Sequence, residues 1–200
     1  MSDVDRELGL TGRALQVAPR LLGALLTSTV DGESVTVRIT EVEAYEGVDD
    51  PASHAYRGPT ARNEVMFGPA GFLYVYRHLG LHHCANVVVG PPGVASAVLL
   101  RAGEVVQGQE VALGRRQARG VCRTSRDIAR GPARLAVALA LTREHNGLSL
   151  TVGEVLRLRA GRPGEVCRGP RVGIAGSGPE AASWPWRFWH AGSEFVSVTG

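Results

Sequence analysis

A run of alternating side chains over residues 34–45 limits what this chain can fold into more than any other feature. Strand side chains alternate with a period of two, so Val35, Val37, Ile39, Glu41, Glu43 and Tyr45 are expected on one face. A face that begins with core valines and ends in two acids and a tyrosine suits a strand that carries a site at its end. A β-rich run at residues 24–30 precedes it across Asp31-Gly32, a dipeptide suited to a hairpin turn.

Residues 72–77 and 81–89 read as two further strands around a tight turn at His78, Leu79 and Gly80. A strand at 97–102 follows, then helices at 109–119 and 132–141, and short strands near 155–158, 172–174 and 187–189. Residues 3–22 read as one or two short helical turns, with Pro19 interrupting. No polar linker divides the 200 residues, and 44% hydrophobic content is enough for one substantial core. The expected fold is therefore α+β, a single domain over residues 1–200. Its curved, largely antiparallel sheet is flanked by helices and carries a protruding β-hairpin.

Composition removes several functional classes. No apolar run approaches the roughly 20 residues that span a bilayer, and the acidic start MSDVDRELGL lacks the order of a secretion signal. A cytoplasmic protein with no membrane partner is expected. Cys84, Cys122 and Cys167 are odd in number and widely spaced, which fits reduced thiols. All 22 basic residues are arginine. The net charge of +3 and pI near 9.0 are compatible with a polyanionic partner without requiring one. With no lysine, only the chain's own N-terminus can offer an amine for Schiff-base chemistry.

The reactive groups concentrate between Ile39 and Val87. Glu43 is the leading candidate for a base, because a carboxylate set among apolar groups has its pKa raised and can activate water. Glu41 is an equal candidate by spacing, and an ion pair with Arg38 or Arg101 is the alternative reading for Glu43. Tyr45, Tyr74 and Tyr76 offer aromatic faces for a flat heterocycle, with core packing as the alternative. His54 and Asn86 can hydrogen-bond the edge of such a ring. His82 and Cys84 share a strand face, but two ligands fall short of a zinc site, so no metal is expected. The glycines at 173, 176 and 178 lack dinucleotide-site order and read as a turn.

Glu43-Ala44-Tyr45, Asp50, Ser53-His54, Arg57-Gly58, Thr60, Arg62-Asn63, Met66-Phe67, Gly71, Leu73-Tyr74-Val75-Tyr76, Gly80, Cys84 and Asn86 together resemble the pattern of the alkyladenine (3-methyladenine, methylpurine) DNA glycosylase family. Segments 98–102, 131–135, 171–174 and 185–188 are also similar to family segments, whereas 105–130 and 142–168 match loosely. The resemblance implies a monofunctional glycosylase that flips alkylated or deaminated purines out of duplex DNA and hydrolyses the glycosidic bond, leaving an abasic site. It implies that Glu43 is the general base for attack at the deoxyribose C1′ and that Tyr45, His54 and Tyr76 line the base pocket. Asn86 matches an asparagine that helps reject guanine, and Arg101 an arginine that supports the site and the DNA backbone. No cofactor is implied, and the partner is double-stranded DNA containing damaged purines; a monomer suits a protein that scans duplex DNA. At the hairpin tip this chain has Leu79 where the family's best-known form places an intercalating tyrosine; an apolar leucine can also wedge into a groove. A non-catalytic nucleic-acid-binding module with an aromatic pocket, and a metal-assisted hydrolase built on His82 and Cys84, are the competing readings.

Overall fold

The computed structural model describes residues 3–162 and 164–197. Two short helices, α1 (Asp3–Leu8) and α2 (Ala14–Leu21), lead into strands β1 (Leu25–Ser28) and β2 (Val35–Tyr45). Next come β3 (Leu73–His78), β4 (His82–Val88), β5 (Ala97–Gln107), α3 (Gln109–Gln117) and α4 (Pro132–Ala138). The chain ends with β6 (Leu156–Arg159), β7 (Val166–Gly169), α5 (Pro179–Ser183) and β8 (Arg187–His190). The strands form one curled sheet in the order β3-β4-β5-β2-β1-β6, with β8 bridging β2 and β7, and every pair is antiparallel. This is the α+β architecture that the strand pattern calls for. Among the described residues no helix is long and apolar enough to cross a membrane.

Local chemistry explains the main elements. The β1–β2 turn uses Asp31 at φ 59° and Gly32 at φ 76°, and the β3–β4 turn uses Leu79 at φ 48° and Gly80 at φ 70°. Helix α2 buries Ala14, Val17, Ala18 and Leu21, the i, i+3, i+4, i+7 stripe of an amphipathic helix. Its first two N–H groups are satisfied from outside the helix. The Glu46 carboxylate accepts from Leu15 N–H at 3.0 Å, and Ser96 Oγ accepts from Ala14 N–H at 3.2 Å. Pro19 sits inside α2 without ending it. Helix α4 starts on Pro132, as a proline at the first helical position favours, and the chain turns away at Ala140, φ 54°.

Strand β2 departs from the expected single face. Its core residues are the odd-numbered Val35, Val37 and Ile39, and then the even-numbered Val42 and Ala44. Pairing with β5 is irregular between Ile39 and Val42. In the same stretch the opposite edge changes partner, from β1 at Val35–Arg38 to β8 at Glu41–Glu43. The strand therefore hands its core side from odd to even positions at Thr40. Glu41 and Glu43 emerge opposite Val42 and Ala44 rather than continuing the valine face.

Gly103, opposite Ile39, allows this pinch, because a Cβ there would lie 2.2 Å from Val37 Cγ1 and 2.6 Å from the Arg38 carbonyl oxygen. Gly103→Ala is expected to destabilise the fold by roughly 1–3 kcal/mol through overpacking, read as a lowered Tm. The same glycine makes β5 look finished at Ala102 in the sequence, yet the strand pairs with β2 as far as Gln107. Two short elements, β7 and α5, carry no sequence pattern that announces them. Residues 172–174, expected as a strand, are irregular, and their backbone serves the site instead.

Candidate active site

Four adjacent strands divide their side chains in the same way. Leu73 and Val75 of β3, Ala85 and Val87 of β4, Val98 and Leu100 of β5, and Val42 and Ala44 of β2 enter the main core. The alternate residues, Tyr74 and Tyr76, Cys84 and Asn86, Leu99 and Arg101, Glu43 and Tyr45, line a cavity of about 300 Å³. The loop carrying His54 and the segment from Val172 to Ser177 complete its wall. This volume lies at the lower end of small-molecule sites.

Glu43 is fully buried in this wall. Its Oε2 accepts from the Tyr45 hydroxyl at 2.9 Å and its Oε1 from Val172 N–H at 2.7 Å, with Arg101 Nη1 3.3 Å from Oε1. Burial raises its pKa; Arg101, the Val172 N–H and the Tyr45 hydroxyl oppose the rise, and Glu41 adds to it. The outcome is a carboxylate held above the usual range, in contact with a cavity.

Glu41 is equally buried but differently engaged. It accepts from Arg101 Nε at 3.1 Å, Arg187 Nη1 at 3.1 Å, Ser197 Oγ at 2.9 Å and the Ser197 N–H. The two acids that spacing leaves equivalent are thus separated by their partners: Glu41 faces two arginines, Glu43 the cavity. Arg38 pairs with Glu104, not with either of them.

Tyr45 is fixed from behind. The Arg171 guanidinium lies 4.7 Å from the Tyr45 ring centre and 4.9 Å from that of Trp186. Arg171 forks onto Asp50 at 2.6 and 2.8 Å and donates to the Ala44 carbonyl at 3.0 Å. Burial first, and then the Glu43 charge, push the Tyr45 pKa well up, so the phenol remains a donor to Glu43.

On the opposite wall Tyr74 and Tyr76 stack at 5.8 Å, and the His54 ring meets Tyr76 edge-on at 4.4 Å. His54 Nδ1 lies 3.0 Å from the Tyr74 hydroxyl. The loop bearing His54 is pinned by buried Asn63, whose amide donates to the His54 and Gly58 carbonyls at 2.9 and 3.0 Å. His54 itself is an exposed residue. Even so, packing around the ring, followed by Arg62 and His78, lowers its pKa to about 4. His54 is therefore a neutral imidazole at physiological pH. Asn86 donates to the Tyr74 carbonyl at 3.1 Å, which orients its amide within the wall.

The cavity thus collects Glu43, Tyr45, His54, Tyr76, Asn86 and Arg101. Leu79 stands outside it, 80% exposed, next to the cavity-lining His78. Arg101 is only 6% exposed and is engaged by Glu41, Glu43 and Ser197, a position that fits internal support better than contact with a DNA backbone. His82 is exposed while Cys84 is buried against Tyr76, and among the described residues no three His, Cys, Asp or Glu side chains form a metal-binding group. All three cysteines are unpaired. The Asp50–Arg171 pair and the Val172 N–H are parts of the site that carry no local sequence signal for their roles, since their partners lie more than a hundred residues away.

A buried carboxylate with a raised pKa beside an aromatic cavity is an arrangement suited to general-base chemistry on a flat-ringed substrate. Comparison with known proteins gives this arrangement a family. The family model described as methylpurine-DNA glycosylase matches residues 10–194. A relative from Frankia casuarinae is 53% identical over 92% of this chain and 87% of its own length. One from Streptomyces avermitilis is 50% identical over 88% and 82%, and one from Mycobacterium tuberculosis 45% over 90% and 87%. All three carry the provisional name 3-methyladenine DNA glycosylase. The chain belongs to the methylpurine-DNA glycosylase family, hydrolases of N-glycosidic bonds in DNA.

Proposed function

We propose that the chain excises alkylated purines, 3-methyladenine among them, from duplex DNA by a monofunctional hydrolytic mechanism. The observation that carries this reading is Glu43, a buried carboxylate with raised pKa in the wall of an aromatic cavity. In the proposed step Glu43 takes a proton from water as the water oxygen bonds to C1′. The electron pair of the glycosidic bond leaves with the base. The carboxylate charge also stabilises the oxocarbenium-like sugar.

The bond is inaccessible within a stacked duplex, so the nucleotide must be extruded into the cavity. Tyr45 and Tyr76 offer ring faces to the base, which attract a purine made cationic by alkylation. Neutral His54 suits such a guest, since an imidazolium would repel it. Asn86 is placed to discriminate at the base edge, against the exocyclic amino group of guanine. Deaminated purines such as hypoxanthine fit the same slot but lack the charge that promotes departure. A purely hydrolytic step leaves an intact abasic site, and the chain has no lysine that could form an imine with it.

The test is release of free base from duplexes carrying 3-methyladenine, 7-methylguanine or hypoxanthine, by wild type and by Glu43→Gln. Base release by neither protein, with lesion binding retained, would instead support a non-catalytic binding module.

Leu79 is proposed as the wedge that fills the gap left by the flipped nucleotide. A leucine in left-handed backbone costs about 1 kcal/mol or more, and asparagine tolerates that conformation while removing the apolar side chain. Leu79→Asn is expected to leave Tm unchanged or raised and to slow excision by roughly ten- to a hundredfold, the value of one buried leucine. Excision at the wild-type rate would remove Leu79 from this role.

A further inference from the structure

The geometry points to Glu41 as a positioning residue: we propose that Glu41 and Ser197 hold Arg101 so that it meets Glu43 through one ion-pair contact and not a two-pronged fork, which keeps that carboxylate able to act as a base. The inference rests on the assignment of Glu43 as the base. Arg101 is held at two of its three nitrogens, through Nε to Glu41 at 3.1 Å and Nη2 to Ser197 Oγ at 3.0 Å. Only Nη1 is left for Glu43, at 3.3 Å. Ser197 is itself held in place, because Thr40 Oγ1 donates to the Phe195 carbonyl at 2.8 Å and Arg130 Nε to the Val196 carbonyl at 2.7 Å.

The same molecule shows the alternative. Arg171 and Asp50 form a two-pronged pair at 2.6 and 2.8 Å. A fork of that kind on Glu43 would favour its ionised form and lower its pKa by about 1–3, leaving a weak base. Glu41 prevents this in two ways. It occupies Arg101, and its own negative charge opposes ionisation of Glu43.

The other groups facing Glu43 do not supply a competing explanation. Tyr45 on β2 donates a hydrogen bond, and the Val172 N–H does the same from beyond β7. Tyr76 on β3 and Cys84 on β4 have pKa values raised by burial and remain neutral. Arg187 on β8 bonds Glu41, and Arg171 is matched by Asp50. Glu41 and Glu43 therefore share Arg101, while Arg187 pairs with Glu41.

The experiment is the pH profile of single-turnover base release, over about pH 4–9, for wild type, Glu41→Gln and Ser197→Ala. Glu41→Gln removes the charge and loosens Arg101. Its acid limb is expected to move about one pH unit lower, with a reduced plateau. Ser197→Ala keeps the charge and frees Nη2, so its limb moves in the same direction by less. Purely structural roles would lower Tm and leave the limb in place, and superimposable profiles for both variants would overturn the proposal. If Glu41→Gln does not fold, the Ser197→Ala profile decides alone. An active Glu43→Gln protein would remove the base assignment itself. An inactive one, together with unshifted limbs, would remove only the positioning role.

Discussion

Glu43→Gln is expected to slow single-turnover base release by about 10³-fold or more while leaving affinity for a lesion duplex within a few fold. The size follows from two losses that occur together. A positioned general base contributes about 10²–10⁴-fold, and the carboxylate charge that faces the developing sugar cation disappears with it. The fold should persist. Glutamine retains an oxygen for the Val172 N–H, Tyr45 can rotate its hydroxyl, and Arg101 keeps Glu41 and Ser197. Base release near the wild-type rate would show that another group activates the water. In the wild type the rate should fall as pH drops through the Glu43 pKa, because only the ionised carboxylate accepts a proton. Burial raises that pKa, so the acid limb should lie above the usual carboxylate range.

Asp50→Ala should produce the largest loss of stability among single changes near the site. It leaves Arg171 as an uncompensated charge in a fully buried position, and breaking such a pair costs about 3–5 kcal/mol. For a chain of this length that is a fall in Tm of roughly 10 °C, measurable by calorimetry. Excision should also decline, because Arg171 lies against the Tyr45 ring and that ring carries the hydroxyl bonded to Glu43. Asp50→Ala combined with Arg171→Met removes both charges and should recover part of the lost stability, since apolar replacement of a buried pair is often tolerated. Additive losses in that double-mutant cycle would mean that the fork contributes little.

Much of this molecule was legible in the sequence where period and turn chemistry act locally. The Asp31-Gly32 turn, the β3–β4 pair and the Pro132 helix start follow from residue type at one position. The polar and aromatic groups of residues 43–86 do converge on one cavity. The face assignment of β2 was not legible, because the switch at Thr40 depends on which strands lie alongside and on the absence of a side chain at Gly103. The choice between Glu41 and Glu43 depends on Arg187 and Ser197, which lie about 150 residues further along the chain. No spacing rule can express a pairing at that distance.

Strands β2 to β5 give alternate side chains to core and cavity, and this sets which changes the fold can absorb. Substitution at one of these positions changes one wall or the other. Insertion or deletion of a single residue within a strand exchanges the two faces for everything beyond it, driving valines into the cavity and tyrosines into the core. Changes of length are therefore expected to be tolerated in connections such as residues 118–131 and 142–155, whereas strands β2 to β5 should tolerate changes of identity but not of count.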